Sequence, residues 1–164
     1  MDVRQLAIED VDQYKAMRLL GLKLVPAAFG GDYHEALAKP DTSWREALTG
    51  TAIHVGAFID GALVGMANYE RFRGIKIQHR AFVYGVFVHP DHVGKSVGMA
   101  VLTAIADHAK QAGVTQLHLG VGADNNSAKR LYEKAGFEAY GHEPSAIRLP
   151  EGDVDEILMI KFLH

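Results

Sequence analysis

The amino-acid sequence predicts an α/β fold in which one mixed β-sheet carries helices on both faces. Two β-rich runs are joined by an Asp-Gly pair, which tolerates the positive φ angles of a two-residue hairpin. A nearly apolar run then leads through a glycine-containing loop into a helical pattern and another strand, the order of a parallel crossover. The chain has 164 residues, 48% of them hydrophobic, so we expect one domain over residues 1–164.

The first part of the chain predicts one strand followed by helices. Val3 to Ala7 is the strand, and from Val11 to Leu24 apolar side chains recur every three or four residues, as on a helix. Pro26 ends this helix, and a short helix is expected at Tyr33 to Ala38. The Ser-x-x-Glu pattern of Ser43 to Glu46 predicts a capping box that opens a third helix.

The middle of the chain predicts a hairpin, a buried strand and a long helix. Ala52 to Ile59 and Ala62 to Tyr69 form the arms of the hairpin, with Asp60-Gly61 at its turn. Ala81 to Val88 is apolar almost throughout, which predicts a central strand buried on both faces. A helix from about Ser96 to Gln111 follows.

The last part of the chain predicts three strands and one helix. Val114 to Val121 is a strand, and Asn125 to Ala135 is a helix that Gly136 ends. Phe137 to Gly141 and Glu156 to Phe162 are the final strands.

The composition argues against several functional classes. A net charge of −3 and a pI of about 6.3 argue against a nucleic-acid-binding protein, which is usually basic. With no cysteine, the chain has no disulfide, thiolate zinc ligand or catalytic thiol. The first residues lack the features of a signal peptide, and no apolar run is long enough to span a membrane. We therefore expect a cytoplasmic protein with no nucleic-acid or membrane partner.

Three binding patterns are present only in incomplete form. Gly94-Lys95-Ser96 resembles the end of a P-loop, but His89 occupies the position of its first glycine. Gly120-x-Gly122 resembles the start of a dinucleotide fingerprint, but Asn125 occupies the position of the third glycine. His89-x-x-His92 has no second cluster of ligands, so these histidines are better interpreted as polar turn residues, and no metal is expected.

Two segments together indicate a family. Residues 83–102 read VYGVFVHPDHVGKSVGMAVL, an apolar strand and a proline followed by a glycine-containing loop that opens a helix. Residues 125–137 read NNSAKRLYEKAGF. Both resemble the GNAT N-acetyltransferase superfamily, and the second segment matches its Asn-x-x-Ala-x-x-Leu-Tyr-Glu-Lys-x-Gly-Phe pattern without a gap. The order of the predicted elements extends the resemblance over nearly the whole chain.

The resemblance implies a fold and a reaction. It implies a GNAT-like, mostly antiparallel sheet in which a central pair of parallel strands is splayed apart. It implies acetyl-CoA as co-substrate and transfer of the acetyl group by direct attack of an amine on the thioester. The acceptor would be a small-molecule amine or a peptide amine, and a homodimer is a possible assembly.

The loop before the long helix is the pyrophosphate site that the resemblance implies. Two residues depart from the family pattern: Val93 stands where Gln or Arg is expected, and Ser96 where a glycine is expected. A helix N-terminus still offers free backbone N–H groups and a positive dipole end to an anion. The expected cofactor-binding residues of this loop are Val93, Gly94, Lys95, Ser96, Val97, Gly98 and Met99.

The resemblance also assigns roles around the thioester. The splayed strand Val86-Phe87-Val88 would pair with the pantetheine arm, and a backbone N–H there would polarise the thioester carbonyl. Its neighbour would be Leu117 to Val121. Asn125 would lie near the pantetheine, and Tyr132 near the sulfur, where it would protonate the leaving thiolate. The alternatives are a helix N-cap for Asn125 and packing against Phe137 for Tyr132.

The general base is open at the level of sequence. The acidic candidates are Glu70, Glu143, Asp155 and Glu156, and a water chain is a further possibility. Tyr84 and His79 flank the splayed strand. Each acid is alternatively a solvated charge or a partner for Arg80 or Arg148.

Three readings of the function remain open at this point. The first is an acyl-CoA-dependent N-acetyltransferase. The second is a CoA-binding regulatory domain that has lost catalysis, which is supported only by Val93 and Ser96. The third is a longer acyl donor or a non-amine acceptor. The sequence does not identify the acceptor, because a fold does not determine a substrate.

Overall fold

The computed structural model describes residues 1–164 and consists of seven strands and five α-helices. The strands are β1 (Asp2–Gln5), β2 (Ile53–Ile59), β3 (Ala62–Arg71), β4 (Arg80–Val88), β5 (Gln116–Gly122), β6 (Glu138–Leu149) and β7 (Gly152–Phe162). The helices are α1 (Val11–Leu24), α2 (Tyr33–Leu37), α3 (Asp41–Thr49), α4 (Val97–Gln111) and α5 (Asn126–Lys134). No helix is both long enough and apolar enough to cross a membrane.

All seven strands form one sheet in the order β1-β2-β3-β4-β5-β7-β6. Only β4 and β5 run parallel, and every other neighbouring pair is antiparallel. The predicted hairpin joins β2 and β3, and both Asp60 and Gly61 have positive φ, at 50° and 79°. The predicted fold class, a mostly antiparallel mixed sheet with a central parallel pair, is confirmed.

The helices cover both faces of the sheet. On one face α4 and the α5 segment pack into a core that includes the fully buried Ile105 and Leu117. On the other face α1 to α3 pack around Met17, Trp44 and Phe58. Burying one large apolar side chain contributes about 1.5–3 kcal/mol. The two cores therefore hold the sheet rigid between them, and this fixes the positions of the strand ends where β4 and β5 separate.

The parallel strands β4 and β5 separate soon after they meet. Their paired residues run only from Arg80–Gln116 to Phe82–His118, although both strands continue for several residues. On its other edge β4 is distorted by a bulge opposite β3, where Gly85 has a φ of 64°. The predicted splay between the two central strands is therefore present, and a β-bulge accompanies it.

Gly85 should not tolerate a side chain. A Cβ atom added there would collide with Oδ1 of Asn68, a buried side chain on β3, and the positive φ would strain any other residue. We expect Gly85→Ala to lower the free energy of unfolding by about 2–3 kcal/mol, measured by urea denaturation. Gly61→Ala is the matched comparison, because it has positive φ but open space around it. Equal losses in both variants would mean that the contact with Asn68 does not matter.

Two local predictions were wrong. β4 is not buried on both faces, because Phe82 and Tyr84, at the last β4–β5 pair and just beyond it, are 39% and 37% exposed. The capping box does not form, because the N-cap of α3 is Pro40, three residues before Ser43, and the helix begins at Asp41. Ser43 already lies inside that helix, and its N–H donates to the carbonyl of Pro40 at 3.0 Å.

The last two strands are much longer than predicted. β6 and β7 form a hairpin that extends beyond the sheet core to a turn at residues 150–151. Most of β6 is exposed and mixes polar with apolar residues, so the apolar alternation that marks a half-buried strand is missing there. The extension matters for the site, because it places Ala146 and Ile147 beside the gap between β4 and β5.

Candidate active site

The gap between β4 and β5 is a cavity of about 420 Å³, which we call the cleft. It begins where the two strands stop pairing and is covered by the chain after α1 and by the β6–β7 hairpin. Beyond Phe82 and His118 no strand pairs with the facing edges of β4 and β5. Their backbone N–H and C=O groups are therefore open to an extended ligand that carries amide groups.

A second cavity of about 610 Å³ lies next to the cleft, and we call it the loop cavity. It is bounded by the end of β4, the loop before α4 and one face of α5. The cleft and the loop cavity meet, because six residues line both of them: Ala28, Phe29, Val86, Asn125, Ala128 and Tyr132. Together they form a continuous path from the N-terminus of α4 to the gap in the sheet.

Most of the sequence-predicted binding residues line this path. Val86, Phe87 and Val88 border the loop cavity, as do Val93, Gly94 and the segment Ser96 to Met99. Lys95 does not line it. Val93 is 65% exposed, so an apolar side chain stands at the position where the family pattern has a hydrogen-bond donor. The loop is therefore accessible, but it has no donor side chain at position 93.

Ser96 occupies a position that favours glycine. It is the N-cap of α4 with φ of 62° and ψ of 12°, in the left-handed region, and its side chain makes no capping hydrogen bond. A left-handed conformation costs a non-glycine residue about 1–2 kcal/mol. Ser96 thus has the backbone geometry of the glycine that the family pattern has at this position. The first N–H groups of α4 remain available to an anion.

Three polar residues of α5 that were not predicted from the sequence also belong to the site. Ser127, Arg130 and Lys134 line the loop cavity from the side opposite the loop. Their spacing of three and four residues places them on one face of the helix, and this spacing was the available signal. The two cations supply positive charge that Val93 does not.

Tyr132 lies where the cleft and the loop cavity meet. It is only 8% exposed, and its ring packs edge-on against Phe137 at a centroid distance of 6.0 Å. Burial, followed by the negative charge of Glu156, raises the pKa of its hydroxyl well above the ordinary value. The hydroxyl therefore stays protonated across the neutral range. The packing interpretation is thus correct for the ring, and the residue also lines both cavities.

Asn125 also borders both cavities, and it caps α5. Its Oδ1 accepts a hydrogen bond from the N–H of Ala128 at 3.2 Å, so the N-cap interpretation is observed. The amide nitrogen of the same side chain is left free to donate.

Among the four acidic candidates, only Glu156 lines the cleft. Its carboxylate lies over Gly120 of β5, where an added Cβ would come within 2.9 Å of Oε1. Burial raises the pKa of Glu156, and the charge of Glu143 raises it further. A carboxylate with a raised pKa that lines the same cleft as a buried tyrosine is the arrangement expected of a proton acceptor and a proton donor.

The other candidates are occupied or outside the cleft. Asp155 accepts from the N–H of Ser145 at 2.7 Å and pairs with His142 at 3.1 Å. Glu70 accepts from the hydroxyl of Thr51 at 2.6 Å. Glu143 is exposed, opposite Glu156 in the β6–β7 ladder. Of the two residues that flank the splayed strand, Tyr84 lines the cleft and His79 does not.

Comparison with known proteins agrees with this geometry. The family model described as "Acetyltransferase (GNAT) family" matches residues 22–137. In sequence, the chain is 27% identical over 85 residues to the L-amino acid N-acyltransferase MnaT of Escherichia coli, a match that covers 52% of this chain and 49% of that enzyme. The chain thus spans about half the length of that relative.

Solved structures share the fold over almost their whole length. An acetyltransferase of the GNAT family from Streptococcus pneumoniae superposes with a TM-score of 0.87 at 19% identity, over 99% of both chains. The Salmonella typhimurium protein yncA, solved with its cofactor acetyl-CoA, gives a TM-score of 0.85 at 22% identity, over 100% of this chain and 94% of that one. Since the family model covers more than half of the sequence and includes the loop, α4 and α5, the chain belongs to the GNAT acetyltransferase family.

Proposed function

We propose that this protein is an N-acetyltransferase that transfers the acetyl group of acetyl-CoA to an amine. The observation that carries the proposal is the continuous path formed by the two cavities, which is lined by Tyr132 where they meet and by Glu156 in the cleft. A long ligand with an anionic head fits this path, because one end has a helix N-terminus and cations, and the other has free strand edges. The acceptor is a small-molecule amine or a peptide amine.

The chain's own groups hold the donor along the path. The first N–H groups of α4, with Gly94 and Gly98, bind the pyrophosphate, and Arg130 and Lys134 add positive charge. The β4 edge at Val86 to Val88 pairs with the amides of the pantetheine arm, and one of its N–H groups polarises the thioester carbonyl. Main-chain groups of the β4 edge make these contacts, so apolar side chains suffice there.

Glu156 and Tyr132 carry the proton transfers. The carboxylate of Glu156 takes a proton from the ammonium form of the acceptor, because an amine is mostly protonated at neutral pH. The free amine nitrogen then forms a bond to the thioester carbon, the carbon–sulfur bond breaks, and the nitrogen loses its second proton to solvent. Tyr132 gives its proton to the departing thiolate, and solvent restores that proton. The products are the acetylated amine and CoA.

Acetyl-CoA is expected to stabilise the fold. At about 100 times its dissociation constant, a ligand that binds only the folded state adds about 2.7 kcal/mol. For a chain of this size that corresponds to a rise in Tm of roughly 5–10 °C. Thermal unfolding with and without millimolar acetyl-CoA measures it, and acetyl phosphate is the control that lacks the nucleotide and pantetheine. An unchanged Tm would contradict the proposed function.

Restoring a donor at position 93 is expected to tighten binding. Val93 is exposed and borders the loop cavity, so Val93→Arg should leave the fold intact and add a contact to the pyrophosphate. One charge-assisted contact at a partly exposed site is worth about 1 kcal/mol, or about fivefold in Kd for CoA. Val93→Leu is the control for the change in size. An equal Kd in all three proteins would show that this position does not face the phosphates.

A turnover assay tests the reaction itself. Release of free CoA thiol from acetyl-CoA across a panel of amines separates an enzyme from a CoA-binding regulatory domain that has lost catalysis. Stabilisation by acetyl-CoA without thiol release for any amine would favour the regulatory domain. The presence of both Tyr132 and Glu156 in the cleft supports the enzyme.

A further inference from the structure

The charges of the cleft have a simple distribution. Of all the residues that line it, only Arg18 and Glu156 carry a formal charge. They come from different elements, since Arg18 projects from α1 and Glu156 from β7. A ligand that fills this cavity therefore meets one cation and one anion.

Arg18 is a half-buried cation without a counterion. No carboxylate lies within 4.0 Å of its guanidinium, and the salt bridges of the chain all involve other residues. The guanidinium lies over the ring of Phe29 at 4.9 Å and close to Gly31, where an added Cβ would be 3.2 Å from Nη2. Burial lowers its pKa, but an arginine remains charged at neutral pH. An unpaired charge removed from water is costly, so this position is suited to an anionic ligand group.

A side pocket of about 280 Å³ opens from the same point. Arg18, Gly31 and Tyr84 line both this side pocket and the cleft. Its buried lining includes the rings of Tyr14, Trp44 and His54 and the amide of Asn68. Apart from Arg18, the charged residues that line it are exposed. Burial lowers the pKa of His54 to about 4, so its ring is neutral at neutral pH. The side pocket thus suits an uncharged, apolar or aromatic group.

We propose that the acceptor is a free α-amino carboxylate whose carboxylate binds Arg18, whose amine faces Glu156 and whose side chain enters the side pocket. This inference rests on the proposed acetyltransferase function. A carboxylate matches the single guanidinium in charge and in planar, bidentate geometry. A polyamine would bring a second cation towards Arg18, and a peptide N-terminus would bring a neutral amide, so neither satisfies that charge.

Matched acceptors test the inference directly. L-leucine and L-phenylalanine are each compared with the carboxamide and with the amine that lacks the carboxyl group, in the thiol-release assay. Removing one partner of a desolvated charge pair typically costs at least a factor of about 30. We expect kcat/KM for the carboxylates to exceed that for both neutral analogues by at least this factor. The amine of a carboxamide is less basic than that of the amino acid, so more of it is unprotonated at neutral pH. Amine basicity alone would therefore make the carboxamide the faster acceptor of the two.

Variants of Arg18 identify the residue responsible. Arg18→Met keeps an unbranched side chain like the aliphatic stem of arginine but removes the guanidinium, and should lower kcat/KM for the carboxylates about 30-fold or more. For the amines without a carboxyl group we expect a change below about threefold. Lys15→Met is the control, because it removes a charge from the same helix without lining either cavity. Equal losses for acids and neutral amines in Arg18→Met would overturn the proposal.

Binding measurements separate this inference from the proposed function. Calorimetric titration of the CoA-bound protein with L-phenylalanine and with 2-phenylethylamine needs no turnover. Preferential binding of the amino acid that is lost in Arg18→Met supports the inference. Thiol release with neutral amines that matches or exceeds that with amino acids would overturn it and leave the acetyltransferase intact. If the protein neither binds nor acetylates any amino acid, the inference is also overturned. If acetyl-CoA itself does not bind, the proposed function is rejected as well.

Discussion

Replacing Glu156 by glutamine is expected to lower kcat/KM about 100-fold or more at neutral pH, because the variant cannot accept the proton of the amine. Glutamine keeps the size of the side chain and its position over Gly120. General base catalysis typically contributes a factor of about 10²–10⁴. Steady-state kinetics with the best acceptor measures the loss. Glu70→Gln is the matched comparison, since Glu70 was an equal candidate by sequence but does not line the cleft.

The dependence of rate on pH gives a second measurement of the same role. Burial and Glu143 raise the pKa of Glu156, so its base form is lost as pH falls through a value above that of an ordinary glutamate. We expect kcat/KM to decline on this acidic limb in the wild type, and the limb to vanish in Glu156→Gln. Glu143→Gln should shift the limb to lower pH, because it removes a negative charge that disfavours ionisation of Glu156.

Loss of stability does not explain such a rate loss. A carboxyl group whose pKa is raised in the folded state binds its proton more tightly there than in the unfolded chain. Its ionisation therefore lowers stability as pH rises through the folded pKa, the reverse of the usual carboxylate. Glu156→Gln should then be at least as stable as the wild type at neutral pH, by urea denaturation. Activity within about threefold of wild type in a folded Glu156→Gln would mean that another group, or water, is the base.

The sequence singles out the loop and Tyr132 but leaves Glu156 as one of four acidic candidates, and the reason is topological. The loop, α4 and α5 are continuous segments, so short motifs describe them. Glu156 reaches the cleft only because β7 inserts beside β5 and pairs Glu156 with Gly122. That pairing joins residues far apart in the chain, and no local pattern distinguishes Glu156 from Asp155, which points to the other face of the strand.

The same limit applies to Arg18 and to the shape of β4. Arg18 lies on a helix whose pattern shows only which face is apolar, and its lack of a counterion is a property of the folded surroundings. β4 looks like a strand buried on both faces because its composition is apolar. Phe82 and Tyr84 are instead partly exposed, because their side chains line the cleft that opens at the last β4–β5 pair. An apolar run does not distinguish a buried neighbour from a cavity that a ligand fills.

Replacing Tyr132 by phenylalanine is expected to lower kcat about 100-fold, with a much smaller change in the KM for acetyl-CoA. The thiolate charge develops only as the carbon–sulfur bond breaks, so a group that protonates it acts on the transition state more than on binding. The factor is at the lower end of general acid catalysis, because water from the open cleft partly substitutes for the hydroxyl. The raised pKa keeps Tyr132 protonated through the neutral range. The pH profile of Tyr132→Phe should therefore have the same acidic limb as that of the wild type.

Two controls separate this role from packing. Phenylalanine retains the ring and its edge-on contact with Phe137, so the free energy of unfolding should change by less than about 1 kcal/mol. Tyr140→Phe removes a tyrosine hydroxyl that lines neither cavity and should leave kcat unchanged. A pre-steady-state measurement first establishes that chemistry limits turnover, because slow product release would mask the effect. If it does, and Tyr132→Phe still turns over within about threefold of wild type, then Tyr132 is a packing residue and a different group protonates the thiolate.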